Sequence, residues 1–294
     1  MNVVVCVKQV PDIEGRIVVE KGAISLQDSN PREAINPLDL LAIEEAMRIK
    51  ENDGQGQVNL VCVGATSSEE SLRKGIAMGA DDAVLLCDPA FDNGDSYTTA
   101  LVLARTISTI PHDLVLCGRR ADDTQAGLVG SYVAHMLGLP LIQGVIDVIV
   151  DSEAKNLVVH RKLERGDREV AECPFPALLT VETGLNTPRH LTVQGIFKTR
   201  KKEIAKRDSK QLGLSAEEVG LTGSKAQITH ISPPKPKMKG LLIPDSKLSP
   251  AERLRLIAGG GLVPRKSGLL EGDPEEVASK LIRYFKQKKI ISGS

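Results

Sequence analysis

Three short segments that combine glycine, small and charged residues each follow an apolar run typical of a buried strand. They are CVKQVPD (6–12), VGATSSEE (63–70) and CGRRADDTQAGLVG (117–130). Because the carboxyl ends of parallel strands share one edge of a sheet, we expect these segments to converge there. Free backbone N–H groups at glycine-rich turns and helix N-termini bind phosphate. The sequence therefore predicts an anion site at this edge, with simple turns as the alternative role of these glycines.

The third segment also carries side chains suited to a nucleotide. They are Gly118, Arg119, Arg120, Asp122, Asp123, Gly127 and Gly130. The glycines allow a phosphate to approach the backbone, the arginines supply positive charge, and an aspartate can accept a hydrogen bond from a nucleoside hydroxyl or amino group. The GxxxxGK[ST] loop of ATP-hydrolysing proteins does not occur, and no GxGxxG opens the first βα unit. We therefore expect a nucleotide to be bound without being hydrolysed.

Residues for acid–base, nucleophilic or metal chemistry are sparse. The five histidines are scattered without an HExxH or GxSxG motif, and the five cysteines never form a CxxC pair. We predict no catalytic residue and no metal site. Any difficult chemistry is expected to belong to a cofactor.

The elements that must position these segments follow an alternating pattern. Residues 3–7, 58–63, 83–86 and 113–117 are apolar on consecutive positions, which is typical of strands covered on both faces of a parallel sheet. Helical patterns separate them, beginning with 36–51. The fold class predicted is α/β, with a doubly wound, mostly parallel sheet. Three antiparallel strands then follow between residues 145 and 173, and 176–182 is expected to return to the sheet.

The C-terminal third has a different composition. Residues 197–238 are charged and proline-rich, which favours an extended arm. Two helices are predicted after it, at 249–261 behind a Ser-Pro-Ala-Glu capping box and at 273–289. We therefore divide the chain into a nucleotide-binding domain, 1–196, and a C-terminal arm with helices, 197–294. The helices could cover a partner subunit or fold back on their own domain.

Charge and hydropathy exclude several classes of partner. Lysine plus arginine equals aspartate plus glutamate at 38 each, so no overall basic field exists for nucleic acid. No apolar run approaches the roughly 20 residues that cross a bilayer, and the N-terminus does not resemble a signal peptide. We expect a cytoplasmic protein that is not transmembrane.

Five segments, in order, resemble the β subunit of electron transfer flavoprotein. They are CVKQVPD, NPLDLLAIEEAMRIK, VGATSSEESLRKGIAMGADDAVLL, CGRRADD…LGLP and LNTPRHLTVQGIFKTRKKEI. The resemblance covers residues 1 to about 235 and implies an adenine-nucleotide alpha-hydrolase-like fold. It also implies pairing with an FAD-bearing α subunit and a second nucleotide in this chain, either AMP or, in electron-bifurcating members, FAD.

Carried over by position, the resemblance implies a set of cofactor-binding residues at the ends of the strands. They are Cys6, Val7, Lys8, Asn36, Asp39, Val63, Gly64, Ala65, Thr66, Gly118, Arg119, Asp123, Ala126, Gly127, Leu128 and Val129. Leu128 stands where the family commonly has glutamine, and Asp122 where it commonly has an apolar residue. These departures put side-chain bonds to the nucleotide in doubt more than the backbone cradle. A second departure is the long segment 241–270, to which no role is assigned.

The segment LLCDPAFDNGDSYTTALVLA (85–104) resembles one typical of bifurcating members. It implies FAD, with AMP as the alternative, and NADH as a possible substrate. Gly94, Asp95, Ser96 and Thr98 would then tune the flavin. Ferredoxin or flavodoxin, with the α-subunit FAD, would receive the electrons.

The segment LTVQGIFK (191–198) resembles the family's recognition loop, which docks acyl-CoA dehydrogenases or related flavoproteins. The resemblance implies that Val193 and Ile196 are partner-binding residues. Two alternatives stay open: an AMP-bearing, purely structural β subunit, and a stand-alone nucleotide-binding module of the universal-stress type.

Overall fold

A computed structural model describes most of the chain. The described residues are 1–12, 17–20, 23–26, 33–152, 154–200, 202–229, 249–251, 253–254 and 272–287. The chain divides into two compact units, Met1–Ser232 and Pro233–Ser294. The fold of the first unit carries every predicted cofactor and partner residue.

A nine-stranded sheet forms the centre of the first unit, in the order β11-β10-β9-β12-β8-β1-β6-β7-β13. Its strands are β1 (Val3–Cys6), β6 (Val58–Val63), β7 (Asp82–Leu86), β8 (Leu114–Gly118), β9 (Leu141–Asp151), β10 (Asn156–Lys162), β11 (Arg168–Pro174), β12 (Ala177–Val181) and β13 (Ala205–Arg207). In the sheet order, all neighbouring strands from β9 across to the edge strand β13 pair in parallel. Beyond β9, the strands β10 and β11 extend the sheet by antiparallel pairing. The predicted doubly wound, mostly parallel sheet is confirmed.

Four short strands form two small separate sheets. They are β2 (Gln9–Pro11), which pairs with β5 (Glu33–Ile35), and β3 (Ile17–Glu20), which pairs with β4 (Ala23–Leu26). The β2–β5 pair joins the end of β1 to the start of the first helix. It therefore brings that helix to the edge where the predicted site lies.

Helices cover the sheet on both faces. They are α1 (Pro37–Asp53), α2 (Glu69–Met78), α3 (Ser96–Ile107), α4 (Val129–Leu137), α5 (Val193–Arg200) and the short α6 (Gly220–Gly223). Successive side chains of a strand point to opposite faces of the sheet. Val3 and Val5 therefore pack with α1 and α2, whereas Val4 packs with α3 and α4. Because both faces are buried, the central strands read as continuous apolar runs.

The segment after residue 196 differs from the extended arm that its composition favours. Up to residue 229 it completes α5, adds the edge strand β13 beside β7, and forms α6. The reason is that three apolar residues, spaced widely among the charged ones, are buried. Ile204 packs in the core on the α1 side of the sheet, and Leu214 and Val219 pack in the core on the α3 side. The compact unit therefore extends to Ser232 rather than ending at residue 196.

Two carboxylates hold this segment by its backbone. Asp88 Oδ2 accepts hydrogen bonds from the N–H and the hydroxyl of Ser209 at 2.9 and 2.6 Å. Asp95 Oδ2 accepts from the N–H groups of Lys225 and Ala226 at 2.8 and 2.9 Å. We call residues 205–226 the strap. The attachment could not be predicted from the charged composition of the strap, because its hydrogen-bond partners lie more than a hundred residues earlier in the chain.

The second unit contains one well-defined helix among its described residues, α7 (Pro274–Gln287). It agrees with the helix predicted at 273–289, and its Leu281 and Ile282 are at least partly exposed. Ser249 begins a helical turn at the predicted capping box, but Glu252 and most of 249–261 lie outside the described residues, as does most of the segment 241–270. Among the helices that the structure describes, none has the length and apolar character needed to cross a membrane.

Candidate functional site

The carboxyl ends of β1 and β8 meet where the sheet's winding changes direction. From β1 the chain reaches β6 on one side, while β8 lies on the other side with Cys117 in register with Cys6. The crevice outside such a reversal is where open α/β sheets bind ligands. The predicted loops 6–12 and 117–130 therefore share one edge, as expected.

Asp39, in the first turn of α1, ties these two strand ends together. Its Oδ2 accepts a hydrogen bond from the Lys8 N–H at 2.8 Å, and its Oδ1 accepts one from the Gly118 N–H at 3.0 Å. The residue is only 5 % exposed. A Cβ on Gly118 would lie 2.3 Å from Asp39 Oδ1, so this glycine is required by the close approach of the carboxylate.

Burial raises the pKa of Asp39 to about 7, although hydrogen bonds from Lys8, Asn36 and Gly118 act in the opposite direction. A buried carboxylate held this way favours its protonated form more than an exposed one does. Proton binding at Asp39 is therefore linked to the stability of the fold near neutral pH.

Asn36 performs a similar task for the loop after β8. Its Oδ1 accepts from the Asp122 N–H at 3.1 Å, and its Nδ2 donates to the Arg120 carbonyl at 3.1 Å. Asn36 occupies the N-cap position of α1, yet its side chain makes no capping hydrogen bond to a backbone N–H of that helix. Both Asn36 and Asp39 were predicted to bind the cofactor; the structure shows their buried side chains bonding loop backbone. We call this pair the loop clamp.

The loop that the clamp holds presents a row of free N–H groups. Gln125 and Gly127 adopt positive φ angles of 53° and 64°, which turns the chain into α4. Among the described residues, the N–H groups of residues 126–131 find no acceptor, and the first backbone bond runs from Tyr132 to the Leu128 carbonyl at 3.1 Å. The start of a helix leaves its first N–H groups without intrahelical partners and carries partial positive charge. We call residues 126–131 the N–H cradle.

Charged side chains surround the cradle. Lys8 Nζ lies 2.9 and 2.7 Å from the two Asp123 carboxylate oxygens, and Arg119 Nη1 lies 3.1 Å from Glu182 Oε2. Three of the predicted binding charges, Lys8, Asp123 and Arg119, are thus already paired within the protein. Arg120 is exposed, and its guanidinium makes no hydrogen bond to a described residue. It remains available to a ligand.

Glu182, which follows β12, was not predicted as part of the site. Burial would raise its pKa, but the Thr183 N–H and Arg119 bring it below its usual range. Its carboxylate is therefore ionised at neutral pH and fixes Arg119. No local motif marks this glutamate, because the contact depends on β12 returning beside β8.

The third predicted loop reaches the same edge through Gln9. The Gln9 side-chain oxygen accepts hydrogen bonds from the hydroxyls of Ser68 and Ser67 at 2.7 and 3.3 Å. Val63 and Gly64 are half-buried, whereas Ala65 and Thr66 are exposed. The turn after β6 is thus fixed beside β1 with two of its predicted residues open to solvent.

Gly94, Asp95, Ser96 and Thr98 lie at the start of α3, and Asp95 attaches the strap. Asp95 Oδ1 accepts from the N–H groups of Tyr97 and Thr98 at 3.0 Å each, while Oδ2 bonds the strap. Burial would raise the pKa of Asp95, but these backbone hydrogen bonds lower it. Thr98 is buried, and a Cβ on Gly94 would lie 2.4 Å from its hydroxyl. The hydrogen bonds of the carboxylate go to backbone N–H groups and, at 3.3 Å, to the Thr98 hydroxyl.

An aromatic pair beside these helix starts was also not predicted from the sequence. The rings of Tyr97 on α3 and Tyr132 on α4 lie 5.7 Å apart in an edge-to-face arrangement, and Lys225 Nζ lies 5.3 Å from the Tyr97 ring centre. The three residues are far apart in the chain. Only the packing of α3 against α4 and the attachment of the strap bring them together.

The predicted partner-binding residues lie on a helix rather than in a loop. Val193 begins α5 and is 68 % exposed, and Ile196 is 40 % exposed. Phe197, which was not predicted, is 60 % exposed beside them, with Arg200 above its ring. A Cβ on Gly195 would lie 2.5 Å from the Ala77 carbonyl, so this glycine lets α5 pack closely on α2. The outward side of α5 is an apolar patch formed by residues 193, 196 and 197.

The cysteines at the strand ends are core residues. Cys6, Cys62 and Cys117 are buried, and hydrogen bonding to Cys6 together with burial raises the pKa of the Cys117 thiol. Burial raises the pKa of Cys62 to about 12. Such thiols stay protonated and are poor nucleophiles. Among the described residues, no group of His, Cys, Asp and Glu side chains has the arrangement of a metal site.

Comparison with known proteins connects this geometry to one family. Residues 24–212 match the electron transfer flavoprotein domain. The chain is 37 % identical over 241 residues to an electron transfer flavoprotein subunit beta of Thermoanaerobacterium thermosaccharolyticum, covering 82 % of this chain and 91 % of that one. It is 36 % identical over 244 residues to the caffeyl-CoA reductase-Etf complex subunit CarD of Acetobacterium woodii, covering 83 % and 92 %.

A third relative extends the similarity through the C-terminal unit. An electron transfer flavoprotein subunit beta of Bacillus subtilis is 32 % identical over 298 aligned positions, covering 99 % of this chain and all of that one. The alignment therefore spans the long segment 241–270 of this chain.

The loop clamp predicts a pH dependence that Asp39→Asn removes. Between pH ~4, where an unfolded aspartate titrates, and pH about 7, the folded chain holds a proton that the unfolded chain releases. The stability of the wild type relative to Asp39→Asn is therefore expected to fall as pH rises through this window. Urea unfolding at several pH values measures the difference, whose slope cannot exceed about 1.4 kcal/mol per pH unit. Asp113→Asn, at the opposite edge, is the control. A constant difference between wild type and Asp39→Asn would contradict the linkage.

Proposed function

This chain belongs to the electron transfer flavoprotein family and corresponds to its β subunit, and on this premise we propose that it binds a nucleotide cofactor at the β1–β8 crevice. The nucleotide's phosphate would lie on the N–H cradle, residues 126–131. The one observation that carries the proposal is this row of N–H groups without described acceptors, at the start of a nine-residue helix beside the sheet's winding reversal. Family membership leaves the universal-stress-type alternative without support.

The cradle is prepared for an anion before any ligand arrives. Asp39 fixes Gly118 at the start of the preceding loop, and Asn36 fixes Arg120 and Asp122 within it, through hydrogen bonds at 3.0–3.1 Å. Groups that are already oriented bind an anion without having to be ordered on binding, which lowers the entropic cost. The positive end of α4 and the exposed Arg120 then favour negative charge at this position.

We propose that the bound nucleotide is FAD, with AMP as the second candidate. The segment 85–104 favours FAD by its resemblance to bifurcating members, and the similarity to a subunit of a caffeyl-CoA reductase complex agrees with a redox assembly. FAD bound here would supply the redox chemistry. It would allow a hydride to be accepted from NADH and its two electrons to be passed on singly, one to ferredoxin or flavodoxin and one to the α-subunit FAD. AMP would instead leave this chain with a structural role.

For this chemistry the chain's own residues bind and orient. The cradle would hold phosphate, and the loop clamp would keep the cradle in place. The described residues near the cradle provide no free buried acid or base, because Asp39 and Asp95 both bond backbone N–H groups. Proton transfer by a side chain is therefore not part of the proposed role.

We propose that the apolar patch on α5 docks the electron-exchanging partner, an acyl-CoA dehydrogenase or related flavoprotein. Val193 is the most exposed member of the patch, and Ile196 and Phe197 lie one turn further along the same helix. Exposed apolar side chains grouped on one helix face are typical of docking sites. The heterodimer with the α subunit would present this patch as the contact surface.

A single carboxylate placed in the cradle tests nucleotide binding. Ala126→Asp adds a negative charge beside the phosphate position, whereas Ala126→Asn has nearly the same shape without the charge. Because Ala126 is exposed, neither side chain should disturb the core. We expect Ala126→Asp to weaken nucleotide binding by about tenfold or more through charge repulsion, and Ala126→Asn to change it little. Calorimetric titration measures both, and equal affinity of the two variants would rule out a phosphate at this position.

Two matched valine variants test the docking patch. Val193→Asp places a charge where an apolar anchor should be buried by the partner, and Val170→Asp makes the same change at a 60 % exposed position on β11. Electron transfer to an acyl-CoA dehydrogenase is expected to slow by about tenfold or more in Val193→Asp, because burying an unpaired charge at a contact centre is costly. Val170→Asp should behave like wild type. Similar rates in all three proteins would exclude α5 from the contact.

A further inference from the structure

Two of the three tyrosines in this chain meet beside the cradle. The chain has no tryptophan and only four phenylalanines, so large aromatic side chains are scarce. Tyr97 is the second residue of α3 and Tyr132 the fourth residue of α4. Their ring centres lie 5.7 Å apart with an interplanar angle of 83°.

Both tyrosines lie near the starts of helices that begin at the edge of the sheet that carries the cradle. In a helix each Cα–Cβ bond is tilted toward the N-terminus, so a side chain in the first turns extends toward the helix start. The starts of α3 and α4 follow β7 and β8 and lie at the carboxyl edge of the sheet. Both tyrosines are half-buried, and Tyr132 packs partly against the core between α3 and α4. Each tyrosine therefore keeps part of its surface accessible to solvent near the start of its helix.

The strap adds a positive charge at the same place. Lys225 Nζ lies 5.3 Å from the Tyr97 ring centre. Its backbone N–H is held by Asp95 at 2.8 Å, and the neighbouring Ser224 hydroxyl accepts from the Asp95 N–H at 2.9 Å. The strap backbone at Lys225 is therefore fixed beside the start of α3, and the ammonium group lies near the Tyr97 ring.

We propose that Tyr97, Tyr132 and Lys225 form a subsite for the flat aromatic ring of the bound nucleotide, next to the phosphate position in the cradle. This inference rests on the proposed nucleotide binding and adds the residues that recognise the ring. Tyrosine rings stack on flat heterocycles, and an ammonium group beside them interacts favourably with a ligand's phosphates. The ring could be the adenine common to AMP and FAD or the isoalloxazine found only in FAD.

Calorimetric titration of the full chain with FAD and, separately, with AMP tests the subsite. Tyr97→Leu removes the ring at similar size, and Tyr97→Phe keeps it. Tyr284→Leu, which changes the tyrosine of α7, is the matched control. We expect Tyr97→Leu to weaken binding by about tenfold, within the range known for base stacking on aromatic residues. Tyr97→Phe and Tyr284→Leu should bind as wild type does.

The two ligands distinguish the two sources of the ring. Weaker binding of both FAD and AMP in Tyr97→Leu would identify adenine, and weaker binding of FAD alone would identify isoalloxazine; either result supports the subsite. Lys225→Met is a second variant that leaves the packing of α3 against α4 untouched. It should lower affinity several-fold at low salt and by less at high salt, because an exposed charge is screened.

Failure of the subsite and failure of nucleotide binding give different results. If wild type binds FAD or AMP and both Tyr97→Leu and Lys225→Met bind with unchanged affinity, the subsite is overturned and nucleotide binding stands. If wild type binds neither ligand, both proposals are overturned. The unfolding midpoint of each variant is measured as well, so that affinities are compared only among folded proteins.

Discussion

The buried carboxylate of Asp39 is the constraint on which the site depends. It accepts backbone N–H groups from Lys8 and Gly118, so one side chain from α1 sets the spacing of the strand ends on both sides of the crevice. A buried carboxylate is costly unless hydrogen-bonded, and here burial still raises its pKa to about 7. The fold thus carries a destabilising group at the place where a rigid loop is needed, which is typical of functional sites.

The clamp and the strap act on neighbouring helix starts. Asn36 and Asp39 hold the loop that leads into α4, and Asp88 and Asp95 hold the segment that borders α3. In both cases an aspartate bonds backbone N–H groups distant in sequence, so that a ligand would meet N–H groups and rings already in position. Preorganised donors suit a tightly bound cofactor, whose binding energy would otherwise be spent on ordering loops.

Most of the fold was predictable because it follows from local patterns. The apolar strands and the helices between them have the expected periods, and the parallel order brings the three loops to one edge, as predicted. The strap was not predictable: Ile204, Leu214 and Val219 are too widely spaced to show a period, and their packing depends on distant carboxylates. Asn36 and Asp39 were likewise predicted as site residues, but their hydrogen bonds to the loop were not, because hydrogen-bond direction is a tertiary property. Glu182 and the Tyr97–Tyr132 pair depend on distant contacts and have no local signal.

The assignment of FAD to this chain is tested by denaturing the purified complex of this chain with its α subunit. The identity and stoichiometry of the released nucleotide are then measured. Chromatography and absorbance distinguish FAD from AMP and count both. We expect two FAD and no AMP per heterodimer, because the crevice of this chain would hold one FAD and the α subunit the other. One FAD with one AMP would contradict the assignment of FAD to this chain and would leave it a structural role. A complex with no nucleotide beyond the α-subunit FAD would contradict the N–H cradle itself.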